Sequence, residues 1–171
     1  TKKGVMFFSE LCHPCKGCMV VCPKGAISTG KREVGEIFTY KIGNNLHFSY
    51  GILNVGEARA NPVIEELKNK GMHDADFIIL DAPPGANCPM VETLKDVDYA
   101  LLVTEPTPFG LYDLKLAWNV VKDLDIPCGI IINRSEKDDA IIEDYTRDEG
   151  LDIILKIPFS REFASYYSKG I

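Results

Sequence analysis

The sequence predicts an α/β fold with a mostly parallel, doubly wound sheet, preceded at the N-terminus by a small cysteine-rich segment. From residue 76 onward, short continuous apolar runs alternate with amphipathic stretches at regular intervals, the pattern of strands joined by crossover helices. Each apolar run hands over to a polar residue or a proline at its end, in turn Asp81, Glu105, Asn133 and Pro158. Four of the six cysteines, in contrast, fall between Cys12 and Cys22, ahead of all these runs.

The strands are expected over residues 76–81, 99–104, 128–133 and 153–157. Because these runs are apolar throughout, helices should cover them on both faces. The intervening helices are expected over residues 89–95, 111–124 and 139–149, with Leu114, Trp118 and Val121 on one face of the second and Gly150 stopping the third. A last helix should begin near Glu162. Upstream, residues 33–40 and 46–53 are rich in β-branched and aromatic side chains around Gly43-Asn44-Asn45, which reads as a hairpin. Asn61 is expected to cap a helix with Pro62 at its first position, ending near Lys70-Gly71. Residues 4–8 read as a strand leading into the cysteines, and residues 25–28 lead out.

The chain has 171 residues, 46% apolar and 26% charged, with a formal charge of -6 and a pI near 5.1. That acidic balance, without a basic stripe, argues against a nucleic-acid partner. The longest apolar runs, residues 77–80 and 129–132, are far too short to span a bilayer, and the first residues lack a signal-peptide stretch. Cys88 and Cys128 stand far apart and give no disulfide framework, so a cytoplasmic location is expected.

Cys12, Cys15, Cys18 and Cys22 are spaced by two, two and three residues and followed by Pro23, which matches the iron-sulfur run of bacterial ferredoxins. Gly17 removes a side chain between two ligands. Four reduced thiols in eleven residues are poor core packing, which favours a metal-binding role over a structural one. Zinc is the rival occupant, although zinc ribbons split their ligands into two distant pairs. His13, His47 and His73 show no pairing that suggests catalysis.

In an open parallel sheet, ligands bind outside the carboxyl ends of the strands, so the residues there form one rim. Asp81 runs into the stiff turn Pro83-Pro84-Gly85. It suits a magnesium ion on nucleotide phosphates, with Gly85 bringing its amide to a phosphate, or else it caps the next helix. Asn133 can read both edges of an adenine or satisfy local backbone. Thr104-Glu105-Pro106-Thr107-Pro108-Phe109-Gly110 is a rigid strand-to-helix loop, either a switch segment or simply stiffened.

In combination, residues 12–23, 81–89, 104–114 and 131–134 resemble the MinD/ParA-like P-loop ATPases that carry an inserted ferredoxin domain. The resemblance covers nearly the whole chain. It implies a P-loop NTPase-like fold, often dimeric, with two [4Fe-4S] clusters in the insert, magnesium-ATP in the nucleotide site, and a role in metal or iron-sulfur handling that involves a protein partner. It matches Asp81 to the magnesium-associated acid, Gly85 to the phosphate-sensing turn, and Asn133 and Pro158 to the adenine pocket. Residues 1–32 then correspond to the iron-sulfur insert and 33–171 to the nucleotide-binding part, both partial. No Gly-rich loop ending in Gly-Lys-Ser/Thr is present in the sequence, and neither is the insert's first cysteine run. The chain therefore reads as a carboxyl-proximal fragment that does not hydrolyse ATP alone. In two-cluster ferredoxins the fourth cysteine serves the other cluster, which assigns Cys12, Cys15 and Cys18 to one cluster and Cys22 to its neighbour. The alternatives are an electron-transfer or metal-carrier module, or a structural zinc- or cluster-bearing assembly module.

Overall fold

The computed structural model describes residues 6–8, 12, 15–71, 75–135 and 138–170. Contacts divide the chain into two units, Thr1–Ile78 and Ile79–Ile171.

In the first unit the cysteine segment makes a single helical turn, α1 (Gly17–Val20), and then runs without regular structure to Val34. The alternating residues beyond it pair as an antiparallel hairpin of β1 (Gly35–Ile42) and β2 (Leu46–Leu53), closed by Gly43-Asn44-Asn45. The register sets Phe38 opposite Tyr50 and Tyr40 opposite Phe48, and their rings cluster on one face, with centroids 5.2 to 6.1 Å from that of Tyr50. Helix α2 (Asn61–Gly71) packs on the other face at Gly51, where an added Cβ would lie 2.3 Å from Val63 Cγ1. The amides of Val63 and Ile64 donate to the Ala60 carbonyl, so the helix begins one residue earlier than the expected cap at Asn61. Pro62 still sits where its missing N–H has no partner to lose.

The second unit contains α3 (Cys88–Leu94), β3 (Ala100–Thr104), α4 (Pro108–Asp123), β4 (Cys128–Ser135), α5 (Ala140–Glu149), β5 (Ile153–Pro158) and α6 (Arg161–Ser168). The three strands form a parallel sheet in the order β3-β4-β5, so the expected α/β architecture is the one observed. Its core joins Leu102 of β3 and Ile130 and Ile132 of β4 to Leu114 and Val121 of α4, Ile142 of α5, and Met90 and Leu94 of α3. Fully burying one such side chain contributes about 1.5–3 kcal/mol. The side chains of Asn87, Thr107 and Ser160 accept amide hydrogen bonds at the starts of α3, α4 and α6, and Gly150 ends α5 in the left-handed conformation at φ 71°.

Two expectations fail. Residues 76–81 form no strand; Phe77 is 89% and Ile79 93% exposed. An apolar run becomes a strand only when a neighbour takes up its backbone hydrogen bonds, and none of the described strands pairs with this one. Among the described residues of the second unit, the helices also cover one face of the sheet only. Two crossovers of the same hand, moving in one direction across the sheet, place α4 and α5 on the same side. The other face leaves Leu101, Val103 and Ile154 about half exposed. Of the strand expected over residues 4–8, Met6 to Phe8 have no regular structure, and Gly4 and Val5 lie outside the described residues. Among the described residues no helix is long and apolar enough to cross a membrane.

Candidate functional site

The first cluster of chemistry is the cysteine segment. All four cysteines are free; Cys12 and Cys22 are half-buried, and Cys15 and Cys18 are exposed. Lys16, just before α1, sits at φ 61°, and the reversal it makes separates Cys15 from Cys18. A Cβ on Gly17 would touch Cys15 Sγ at 3.6 Å, an ordinary contact, so the expected relief of crowding is slight. Cys22 is different. After Pro23 the chain turns back through Gly25 at φ 57°, and the Ala26 amide donates to Cys22 Sγ at 3.4 Å. The amides of Ala26 and Lys24 hold the thiol below its ordinary pKa; desolvation opposes them, and the amides of Gly25 and Ile27 add a little. Backbone dipoles converging on a sulfur favour the thiolate, the form that binds metals.

Near Cys12, Glu57 forms the hub of an ion-pair cluster. Its carboxylate accepts from Arg59 Nε and from the Arg59 main-chain amide, both at 3.0 Å, and pairs with Arg32. Its side chain is only 5% exposed. Arg59 in turn donates from Nη1 to the Cys12 carbonyl oxygen.

Among the described residues, no three His, Cys, Asp or Glu side chains are gathered as a metal site. His13 and His73 lie outside the described residues. The donor set nevertheless fits a thiolate-bound centre, because four free thiols occupy one short segment and backbone amides lower the pKa of one of them.

The second cluster of chemistry is the rim of the parallel sheet, where an open depression of about 300 Å³ is lined by Thr104, Glu105, Thr107, Phe109, Asp113 and Asn133, among others. The loop from β3 to α4 shapes it. The Thr104 hydroxyl donates to the Gly110 carbonyl at 2.9 Å, and the Gly110 amide donates to Thr107 Oγ1 at 3.0 Å. An added Cβ on Gly110 would lie 2.2 Å from the Glu105 carbonyl oxygen, so only glycine allows the turn. Beside it, Arg134 at φ 54° sets its guanidinium over the Phe159 ring at 5.2 Å and 3.6 Å from Glu105. Both members of that ion pair are substantially exposed, so it contributes no more than about 1 kcal/mol. Below the rim, the nearly buried Asp139 accepts from the Ser135 hydroxyl at 2.6 Å and pairs with Lys156 at 3.1 Å, tying β4 to β5.

Of the residues expected on the rim, Asn133 lines the depression. Pro158 ends β5 opposite Ser135 and is exposed. Asp81 is exposed and makes no ion pair within the described residues; it does not cap α3, since Asn87 does. Gly85 has φ 90°, a conformation that requires glycine, with its Cβ position 3.8 Å from Asn87 Nδ2. Neither Asp81 nor Gly85 lines the depression.

No family model matches the chain. An uncharacterized protein of Methanocaldococcus jannaschii is 32% identical over 167 residues, which cover 97% of this chain and 57% of that protein. An uncharacterized ATP-binding protein of the same organism is 26% identical over 102 residues, 57% of this chain and 40% of its own length. Its iron-sulfur cluster carrier protein is 33% identical over 66 residues, 36% of this chain and 23% of the carrier. The chain is thus a partial relative of an ATP-binding protein and of an iron-sulfur cluster carrier. It spans little more than half the length of the first of these relatives, and less of the other two.

Several site residues escaped the sequence reading. Glu57 and Arg59 lie far from the cysteines in the chain, and nothing in their spacing points back to Cys12. Asp113 and Arg134 belonged to stretches singled out for other residues. A charged residue directly after a strand-end Asn, or one turn into a helix capped by Thr-Pro, is the signal that could have found them.

Proposed function

We propose that this chain is part of an iron-sulfur-containing ATPase of the MinD/ParA type, in which nucleotide state is coupled to a [4Fe-4S] centre on the cysteine segment. Residues 1–32 supply the cluster-bearing insert, with Cys12, Cys15, Cys18 and Cys22 as its thiolates, and residues 33–171 supply the nucleotide-binding part. One observation carries the reading: the same chain holds a cysteine sulfur, that of Cys22, accepting a backbone amide within the four-cysteine segment, and an Asn133-lined depression at the ends of parallel strands. The partial similarity to an ATP-binding protein and to an iron-sulfur cluster carrier supports it.

In this reading Asn133 offers one donor and one acceptor to the adenine edge, and Pro158 an apolar wall beside it. Asp81 holds magnesium through water, and Gly85 gives its amide to a phosphate. The cluster, when bound, supplies electron transfer or is itself the cargo; the amides around Cys22 favour the deprotonated form in which it would ligate. The protein works as a homodimer and with a protein partner that exchanges metal or electrons. Phosphoryl transfer depends on charge and positioning around the γ-phosphate, which a Gly-rich loop and its Lys supply in such enzymes. The sequence contains neither, so this chain binds nucleotide without turning it over.

The exposure of Cys15 and Cys18 favours a second reading, a metal carrier that passes its cargo outward and uses the α/β unit only as a scaffold. Calorimetric titration with magnesium-ATP separates the two. Binding that weakens in Asn133→Ala and in Asp81→Ala supports the ATPase reading, and no binding at millimolar nucleotide supports the carrier.

A further inference from the structure

Arg59 is placed to act on the cysteine segment. The turn that carries it is anchored on the hairpin: the Asn54 amide donates to the Val34 carbonyl at 3.0 Å, Asn54 Nδ2 to the Glu33 carbonyl at 3.2 Å, and the Glu57 amide back to the Asn54 carbonyl at 2.9 Å. Gly56, at φ 83°, completes the turn. Glu57 is therefore presented from a fixed support, with its carboxylate nearly buried. That carboxylate takes the Nε–Nη2 edge of the Arg59 guanidinium, at 3.0 Å on Oε1 and 3.5 Å on Oε2, and Arg32 shares Oε2. The free edge of the guanidinium, Nη1, is left pointing at the main chain of Cys12. The cysteine segment is thus held at both ends, by Arg59 at Cys12 and by the amide cradle at Cys22, with the exposed Cys15 and Cys18 between.

Charge follows the same geometry. Two arginines share one carboxylate, so one net positive charge remains beside Cys12. A site of several thiolates around a divalent ion is net negative, and its capacity to form depends on nearby positive charge and on how well the outer partners fix the ligands.

We propose that Arg59, oriented by Glu57, is a positioning residue of the thiolate centre: it fixes the backbone at Cys12 through its planar fork and neutralises part of the charge that builds up when the cysteines bind metal. The proposal rests on the reading of Cys12, Cys15, Cys18 and Cys22 as metal-binding thiolates, and it adds the group that organises them. A lysine does not replace the fork, because a single ammonium cannot hold Glu57 and the Cys12 carbonyl along two fixed directions at once.

The test is titration of the reduced protein with Co²⁺ alone, reading thiolate-to-cobalt charge-transfer absorption, for the wild type, Cys12→Ser, Arg59→Gln, Arg59→Lys and Glu57→Gln. Outer partners of metal ligands typically change affinity by about 10–100-fold. The expected result is a loss of at least about tenfold in Arg59→Gln, with Arg59→Lys between it and the wild type and Glu57→Gln weakened in the same direction. The aromatic circular dichroism of the hairpin reports whether each variant folds. If Arg59→Gln fails to fold, Glu57→Gln, which leaves Arg59 in place but releases it, decides the matter. Wild-type affinity in both arginine variants overturns the proposal while leaving the thiolate centre intact. Full affinity in Arg59→Lys alone overturns the fork. A wild type without charge-transfer absorption, or Cys12→Ser binding like the wild type, overturns the proposal together with the thiolate reading.

Discussion

The hydroxyl of Thr104, at the last position of β3, donates to the carbonyl of Gly110, in the first turn of α4, at 2.9 Å. This bond folds the Pro-rich loop back on itself, and Glu105 and Phe109 line the depression together with Asn133. The loop has no room to spare, because the Glu105 carbonyl occupies the space above Gly110.

Gly110→Ala is therefore expected to lower stability by about 1–3 kcal/mol, the usual cost of forcing atoms into filled space. It should also weaken magnesium-ATP binding beyond what stability explains, since Glu105 must move. A urea melt and a calorimetric titration of one preparation check both effects.

The sheet core gives a second prediction, with contrasting positions on the same strands. Ile130 and Ile132 are fully buried, and truncating either to Ala should cost about 2–5 kcal/mol. Leu101 and Val103 lie on the uncovered face, 55% and 62% exposed. Their Ala variants should stay within about 0.5 kcal/mol of the wild type. Urea denaturation of the four single variants tests the one-sided core, and equal losses at all four would show that both faces are buried in solution.

Lys156 supplies a pH dependence. Its hydrogen bonds to Glu143 and then Asp139 raise its pKa above the ordinary lysine value. A group with a raised folded pKa contributes stability below its unfolded pKa and loses that contribution as pH rises through the folded value. Lys156→Met should be less stable than the wild type at neutral pH, and the gap should close at strongly alkaline pH. Melting temperatures across that range give the answer, and a gap that widens with pH would contradict the ion-pair assignment.

The pKa values of two cysteines shift in opposite senses. Amides lower the Cys22 thiol, and burial raises that of Cys128. With rising pH, alkylation of metal-free protein should reach Cys22 well before Cys128, as read by peptide mass spectrometry. Because the folded pKa of Cys22 is depressed, its contribution to stability is present above the unfolded thiol pKa and fades as pH falls through the folded one. Alkylation of Cys128 first would mean that the cradle does not form.

Much of the fold was legible. Continuous apolar runs with polar ends found β3, β4 and β5, because a strand buried in a sheet is apolar along its length. Residues 76–81 carry the same signature, yet no described strand pairs with them. Composition records what a segment could bury but not whether a neighbour is there to take its hydrogen bonds. Helix starts were legible to within a few residues. Thr107 drew α4 back to Pro108, ahead of the expected start at Leu111, because its hydroxyl caps the amide of Gly110. The site was legible only where it is local in sequence. The cysteine spacing and Asn133 stood out; the grip of Arg59 on Cys12 did not, since the contact joins residues 47 apart in the chain.

The central claim, that the cysteine segment binds an iron-sulfur centre, is tested most directly by the iron and acid-labile sulfide content of anaerobically reconstituted protein, read with its visible absorption, for the wild type and for Cys12→Ser, Cys15→Ser and Cys18→Ser. The account predicts brown protein with matched iron and sulfide, lost in each of the three variants. Colourless protein that takes up zinc through the same cysteines, or iron uptake indifferent to them, would contradict it.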